Sequence, residues 1–173
     1  MQAQQQPSAA QLFLSNCAKE MNMGAFLLGS SNSKAAKGGN LAYIDIRLNG
    51  QRLFIKHAFS NSSSMPQAVK ADFAPSVPNA SLGTVGIPNG SQHANHTEPK
   101  LLEYVKSNFH LLNGGFDEVI LASQLDCCGS CVKNTIKAIT AAVALSNMDA
   151  TNTQIRFTIV EINSGRIRSG DQF

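Results

Sequence analysis

Apolar and polar residues in the first third of the chain follow the pattern of a helix and then a β-hairpin. Residues 8–28 carry apolar side chains at partly helical spacing and predict a helix. The apolar positions of this predicted helix are Leu12, Phe13, Met21, Met23 and Phe26. Residues 41–48 (LAYIDIRL) and 52–59 (RLFIKHAF) predict two strands, and Asn49-Gly50 between them is a strong hairpin signal.

Helical and strand-like segments alternate in the second half of the chain. From His96 to Leu112 apolar residues recur on one helical face, Pro99 fits a first turn, and Asn113-Gly114-Gly115 ends the helix. Residues 118–122 (EVILA) are typical of a strand buried on both faces. The remaining predicted elements are a helix from Cys128 to about Ala144, a strand from Ile155 to Ile162, a turn at Ser164-Gly165 and an edge strand from Arg166 to Phe173. This order predicts an α/β sandwich around a mixed sheet.

A long segment, from Ser60 to Asn95, separates the hairpin from the helix that follows it. It is rich in Ser, Asn, Pro and Gly. Loops of this length are uncommon in compact domains unless they are functional or carry short elements of their own. Because the segment leads directly into a chemical motif at His96, we expect it to shape the rim of an active site.

Length and composition fit one globular domain. The 173 residues are 43% hydrophobic and 14% charged, which excludes a disordered chain. We expect a single domain over residues 1–173, with its core at about 41–162 and an N-terminal helix and loop at 1–40. The net charge of +3 is scattered, so it permits contact with phosphates without demanding it. No apolar run approaches the roughly 18 residues of a membrane span, and the first residues lack the basic start of a Sec-type signal peptide.

Two short motifs carry candidate chemistry. His96-Thr97-Glu98 opens one predicted helix, and Cys128-Gly129-Ser130-Cys131 opens the next. A catalytic zinc ion takes three thiolate or imidazole ligands and keeps its fourth position for water. If the strand at 118–122 joins the two helices by a crossover, both helix starts lie at one edge of the sheet. The spacing therefore predicts His96, Cys128 and Cys131 as Zn²⁺ ligands, with Glu98 as the catalytic residue that moves protons.

Other interpretations of the same residues stay open. Cys127 could replace Cys128 as a ligand, although only Cys128 has the two-residue gap to Cys131. A closed structural zinc site would need a fourth protein ligand, which His93 or Cys127 could supply. A redox pair would use the C-x-x-C but would leave the H-x-E motif unexplained.

The two motifs, in the stretches HTEPKLLEYV and SQLDCCGSCVKN, resemble the bacterial toxin branch of the cytidine deaminase superfamily. That branch contains polymorphic-toxin and interbacterial DNA deaminase domains, and the resemblance covers about residues 41–162. One departure is Cys127, which stands where the signature has proline. The resemblance implies a three-layer sandwich with a mixed five-stranded sheet and helices on both faces.

The resemblance also implies a function. A domain of this kind would use zinc to deaminate cytosine to uracil hydrolytically in nucleic acid, with DNA favoured over RNA. It would be delivered as a toxin into the cytoplasm of a competing cell, and a cognate immunity protein would block it. The alternatives are a deaminase of free nucleosides or nucleotides, a deaminase of adenine, and a non-catalytic module with structural zinc.

Candidate substrate contacts follow from the same resemblance. Phe59, Ser60 and Asn61 come at the end of the second strand, where deaminases of this fold commonly contact the base. If a base is bound, we expect Phe59 or a phenylalanine of another rim loop to stack on it. The alternative for the three residues is an ordinary strand end. Asn95 directly precedes His96, and we expect it to cap the helix or, alternatively, to contact the substrate.

Overall fold

The computed structural model describes residues 6–29, 39–61, 65–76, 96–112, 115–127 and 155–169, together with Lys137. Helix α1 spans Ala9–Leu27. Ser8 is its N-cap and forms a capping box with Gln11, so two otherwise unpaired donors at the helix start are satisfied. The predicted first helix is therefore confirmed. Its apolar positions are less well predicted, since Leu12, Met23 and Phe26 are exposed.

The described strands form one mixed sheet, as the pattern predicts. They are β1 (Leu41–Leu48), β2 (Gln51–Phe59), β3 (Glu118–Ser123), β4 (Arg156–Glu161) and β5 (Arg166–Ser169). Their order in the sheet is β2-β1-β3-β4-β5. Only the β3–β4 pair is parallel among these strands. The predicted hairpin is confirmed, because Asn49 and Gly50 both have positive φ, as a tight two-residue turn requires.

Alternate residues of the central strands enter two separate cores, one on each face of the sheet. Ala42 and Ile44 of β1 share a cluster with Leu101 of the second helix. Tyr43, which lies between them, belongs to a cluster that includes Met21 of α1. The continuously apolar run of β3 divides between the clusters in the same way. A helix therefore packs on each face of the sheet.

The second helix, α2, spans Thr97–Ser107 and is followed by a 3-10 helix at Phe109–Leu112. The prediction that one helix continues to Leu112 is therefore wrong. The side-chain amide of Asn108 donates to the Tyr104 carbonyl at 2.8 Å, and this local bond competes with continuation of the helix. Pro99 does lie in the first turn, as its missing N–H predicts.

The long segment between β2 and α2 contains a 3-10 helix at Gln67–Asp72, after which Phe73 forms a bridge with His57. The predicted helix that begins at Cys128 falls outside the described residues, apart from Lys137. The same holds for the last four residues of the predicted edge strand. In the described ranges, none of the helices combines the length and the apolarity needed to cross a bilayer.

Candidate active site

One edge of the sheet carries the candidate chemistry. Strand β1 begins at this edge, and β2, β3 and β4 all end there, because β3 is antiparallel to β1 and parallel to β4. The first turn of α2 lies against the same edge, where Thr97 and Glu98 are buried. The H-x-E motif therefore lies beside the end of β3, from which the chain continues towards Cys128.

His96 is the N-cap of α2 and is only partly exposed. Its backbone is extended, with φ −66° and ψ 150°, and its side chain makes no capping hydrogen bond. The expectation that Asn95 caps the helix is therefore wrong. The cap falls one residue later because the extended backbone that precedes the first helical residue is that of His96.

Asn40, the residue before β1, links the elements that meet at this edge. Its Nδ2 donates to the hydroxyl of Thr97 at 3.1 Å and to that of Ser123 at 2.8 Å. Its Oδ1 accepts from the backbone N–H of Leu125 at 3.1 Å. Its own backbone N–H donates to Ser60 Oγ at 2.6 Å. One asparagine thus holds together the end of β2, the end of β3 and the start of α2.

Glu98 lies at the centre of a group of neutral polar side chains. Its side chain is 3% exposed, and Oε2 accepts a hydrogen bond from the Thr97 hydroxyl at 3.1 Å. The Cys127 thiol lies near enough to the Glu98 carboxylate for that charge to help raise the pKa of the thiol. No arginine, lysine or histidine of the described ranges forms an ion pair with Glu98. A buried carboxylate of this kind is available to interact with a cation or to exchange a proton.

Cys127, the residue before the C-x-x-C motif, is buried. Burial and the nearby Glu98 carboxylate raise the pKa of its thiol to about 12. Its backbone N–H donates to Glu161 Oε1 at 2.9 Å. The end of the described loop after β3 is therefore tied to the end of β4.

Glu161, the last residue of β4, holds the loop after β3 in place. Its carboxylate is fully buried and also binds two guanidinium groups of β5. Arg168 Nη2 lies 2.7 Å from Oε1, and Arg166 Nε donates to Oε2. Strand β5 therefore contributes to the position of the loop that follows β3.

Three of the predicted substrate residues, Phe59, Ser60 and Asn61, lie at the end of β2. The ammonium group of Lys100 donates to the carbonyls of Phe59 at 2.7 Å and of Ser60 at 3.3 Å, which ties this strand end to α2. Burial lowers the pKa of Lys100 to about 8. The Ser60 hydroxyl accepts from Asn40, and Asn61 is partly exposed.

The ring of Phe59 does not lie where stacking on a base would require it. Its side chain is 1% exposed and packs in the same cluster as Leu41, Tyr43 and Phe73. The expectation that this ring stacks on a substrate is therefore not supported, because the apolar core under α1 already holds it.

The structure brings some of the predicted site residues together and leaves others outside its description. His96 and Glu98 share the first turn of α2, beside Ser60 and Cys127. Cys128, Cys131, Asn95 and His93 all fall outside the described residues. In the part of the chain that is described, no three His, Cys, Asp or Glu side chains cluster as a metal site.

Asn40, Ser123 and Glu161 belong to the site but carry no motif. Asn40 ends the Gly-rich stretch that precedes β1, and a polar residue at that position is typical of any loop. Ser123 and Glu161 end apolar strands, where polar residues are also ordinary. The one feature that could have identified Ser123 and Glu161 as site residues is that each ends a strand, and that the two strands are parallel neighbours in the sheet.

No protein-family model, no curated protein and no solved structure matches this chain.

Proposed function

We propose that the chain is a zinc-dependent deaminase that converts cytosine to uracil in nucleic acid. The observation that carries the proposal is Glu98. It is a buried carboxylate without a cationic partner in the described ranges, two residues after a candidate ligand and in contact with the residue that precedes Cys128. The resemblance of the two motifs to the cytidine deaminase superfamily supports the same reaction.

The residues present fit a zinc ion. His96, Cys128 and Cys131 would hold it, which is the nitrogen and sulfur set that zinc prefers at catalytic sites. His96 is the N-cap of α2, and two residues further on lies the buried carboxylate of Glu98, which forms no ion pair with the described residues. When bound, the ion would supply Lewis acidity that activates water as a nucleophile.

Glu98 would carry the protons of the reaction. Deamination adds water to C4 of cytosine and releases ammonia, so both protons of the water must be moved: the first goes to N3 as the oxygen bonds to C4, and the second passes from the new C4 hydroxyl to the amine as the C4–N bond breaks. A carboxylate in a buried site can accept the first proton and return it, and general acid–base transfer of this kind contributes roughly 10²–10⁴-fold. The Thr97 hydroxyl, which donates to Oε2, would keep the carboxylate in one orientation.

The substrate class rests on the resemblance, which favours DNA over RNA. The modest net charge of +3 is compatible with phosphate contact. We further propose the three-layer sandwich of the superfamily, delivery of the domain into the cytoplasm of a target cell, and a cognate immunity protein as its partner. The packing of α1 and α2 on opposite faces of the sheet is compatible with that sandwich.

The test is incubation of the purified protein with cytosine-containing oligonucleotides, followed by detection of uracil. We expect uracil from the wild-type protein and a fall of about 10²–10⁴-fold in Glu98→Ala, with zinc still bound. Asp72→Asn is the matched control, because Asp72 is an exposed carboxylate outside the site and its replacement should change nothing. Absence of uracil from single- and double-stranded DNA and RNA, in protein shown to contain zinc, would refute the proposal.

The same experiment separates the alternatives. Ammonia released from cytidine or adenosine but not from oligonucleotides would establish a deaminase of free nucleosides. Inosine in place of uracil would establish adenine as the base. Four protein ligands on the metal, with no activity on any substrate, would establish a structural zinc module. Loss of zinc in Glu98→Ala would instead make Glu98 a ligand.

A further inference from the structure

We propose that Asn40 is a positioning residue that directs the Thr97 hydroxyl towards Glu98. The inference rests on the proposed function, because it gives Asn40 a part in the reaction assigned to Glu98. Asn40 lies 57 residues before Thr97 and 83 residues before Ser123, and its side chain bonds to both.

The orientation of the Asn40 amide is determined by its partners. Leu125 contributes a backbone N–H, which can only donate, so the atom of Asn40 that faces it must be the oxygen. The nitrogen therefore faces the hydroxyl of Thr97, while the Ser123 hydroxyl lies within hydrogen-bond distance of both the nitrogen and the oxygen. A flipped amide would place two donors against each other at Leu125 and is excluded on that ground.

This orientation determines what the Thr97 hydroxyl can do. A hydroxyl has a single proton to donate. Because Asn40 Nδ2 donates to Thr97 Oγ1 at 3.1 Å, the oxygen is the acceptor on that side. The hydroxyl proton is then directed to Glu98 Oε2, 3.1 Å away. The hydrogen bonds run in one direction, from Asn40 through Thr97 to the carboxylate.

Asn40 is itself held firmly enough to serve as a reference point. Its backbone N–H donates to Ser60 Oγ at 2.6 Å, and its carbonyl accepts from the Ser60 N–H at 2.9 Å. The carboxamide has partners on β3, on the loop after β3 and on α2. Outer partners of catalytic groups, held in this way, commonly change activity by about 10- to 100-fold when they are lost.

Asn40→Asp is the variant that tests the direction of these bonds. It keeps an oxygen for Leu125 but replaces the donor that faces Thr97 with an acceptor, which competes with Glu98 for the hydroxyl proton. We expect kcat on a cytosine oligonucleotide to fall by about 10- to 100-fold with KM changed less than about 3-fold. Asn40→Ala, which also removes the donor that faces Thr97, takes its place with the same expected fall in kcat if the carboxylate prevents folding.

A double-mutant cycle separates positioning from a general structural role. In a Thr97→Val background the hydroxyl is absent, so Asn40→Asp should lower kcat by less than about 2-fold further. In a Thr97→Ser background, which keeps the hydroxyl, the full effect should return. Equal effects of Asn40→Asp in all three backgrounds would overturn the proposal. A change in KM rather than kcat would also overturn it, by making Asn40 a substrate contact.

A second readout needs neither zinc nor turnover. The carboxyl carbon of Glu98, labelled with ¹³C and assigned through Glu98→Gln, reports the hydrogen bond from Thr97 directly. Asn40→Asp and Thr97→Val should each displace its chemical shift, and the double variant should add little to Thr97→Val alone. An unmoved signal in Asn40→Asp would overturn the inference. If the protein deaminates nothing but the signal moves as stated, the proposed function fails and the link from Asn40 to Glu98 stands.

Discussion

Buried carboxylates occur in two kinds of surroundings in this protein. Asp45 on β1 is 1% exposed, and its Oδ2 receives the guanidinium groups of Arg47 at 2.7 Å and Arg52 at 3.0 Å. Glu161 is 0% exposed and receives two guanidinium groups in the same way. Glu98 is also buried, but its side chain accepts from the Thr97 hydroxyl and has no ion pair among the described residues. Within the part of the chain that the structure describes, two of these three carboxylates are paired with arginine and Glu98 is not.

The difference indicates what each carboxylate does. A buried charge costs several kcal/mol unless a partner compensates it, so a carboxylate between two arginines is part of the packing of the fold. A carboxylate that keeps only neutral neighbours retains the ability to attract a cation or to change its protonation state. Groups left in that condition are typical of functional sites, where proteins sacrifice stability for chemistry.

The largest effect on stability is expected at Glu161. Glu161→Gln would remove both ion pairs with β5 while keeping an oxygen for the Cys127 N–H. Because the partner Arg168 is mostly buried, we expect the free energy of unfolding to fall by about 3 kcal/mol. Chemical denaturation with excess zinc measures it. Glu118→Gln, whose ion pair with Arg156 spans 4.0 Å at the surface, should cost less than about 0.5 kcal/mol.

A smaller loss is expected at Asp45. Asp45→Asn would also remove two ion pairs, but Arg47 and Arg52 keep 30% and 41% of their side chains exposed and can turn to water. We expect a loss of about 2 kcal/mol in the same denaturation experiment. Asp72→Asn, an exposed carboxylate, should change stability by less than about 0.5 kcal/mol. If Asp45→Asn lowers the free energy of unfolding no more than Asp72→Asn does, then the Asp45 carboxylate does not stabilise the fold.

The third prediction concerns Glu98, where we expect substitution to cause no loss of stability. Glu98→Gln would replace a buried carboxylate, which has no cationic partner in the described ranges, with a neutral amide of nearly the same shape. We expect the free energy of unfolding to stay level or to rise by up to about 1 kcal/mol, although the variant should not deaminate. A loss comparable to that of Glu161→Gln would mean that Glu98 is a packing residue, and the comparison drawn above would fail.

How far the sequence predicts this site depends on the range of the interactions. The hairpin follows from alternation and from Asn49-Gly50, which are local features. The end of α2 was missed because a side-chain bond from Asn108 competes with the apolar periodicity. Asn40 contacts residues 57 and 83 positions away, and no local pattern records such a contact. The zinc ligands Cys128 and Cys131 stay a prediction, since they lie outside the described residues.

The smallest expected effect is on the dependence of stability on pH. It comes from His57, which lies under α1, on the face of the sheet opposite to α2. Burial lowers the pKa of His57, Glu20 opposes that shift, and Arg52 and Lys56 reinforce it. The unfolded chain therefore binds a proton at a higher pH than the folded chain, and this contribution to stability is lost as the pH falls below about 6.5. His57→Gln should flatten that part of the stability profile, measured by denaturation between pH 7 and pH 5.

His110 provides the control for this prediction, since it is exposed and lies outside the two apolar cores. His110→Gln should leave the dependence on pH as it is in the wild-type protein. A stability profile that His57→Gln leaves unchanged between pH 7 and pH 5 would refute the assignment of this pH dependence to His57.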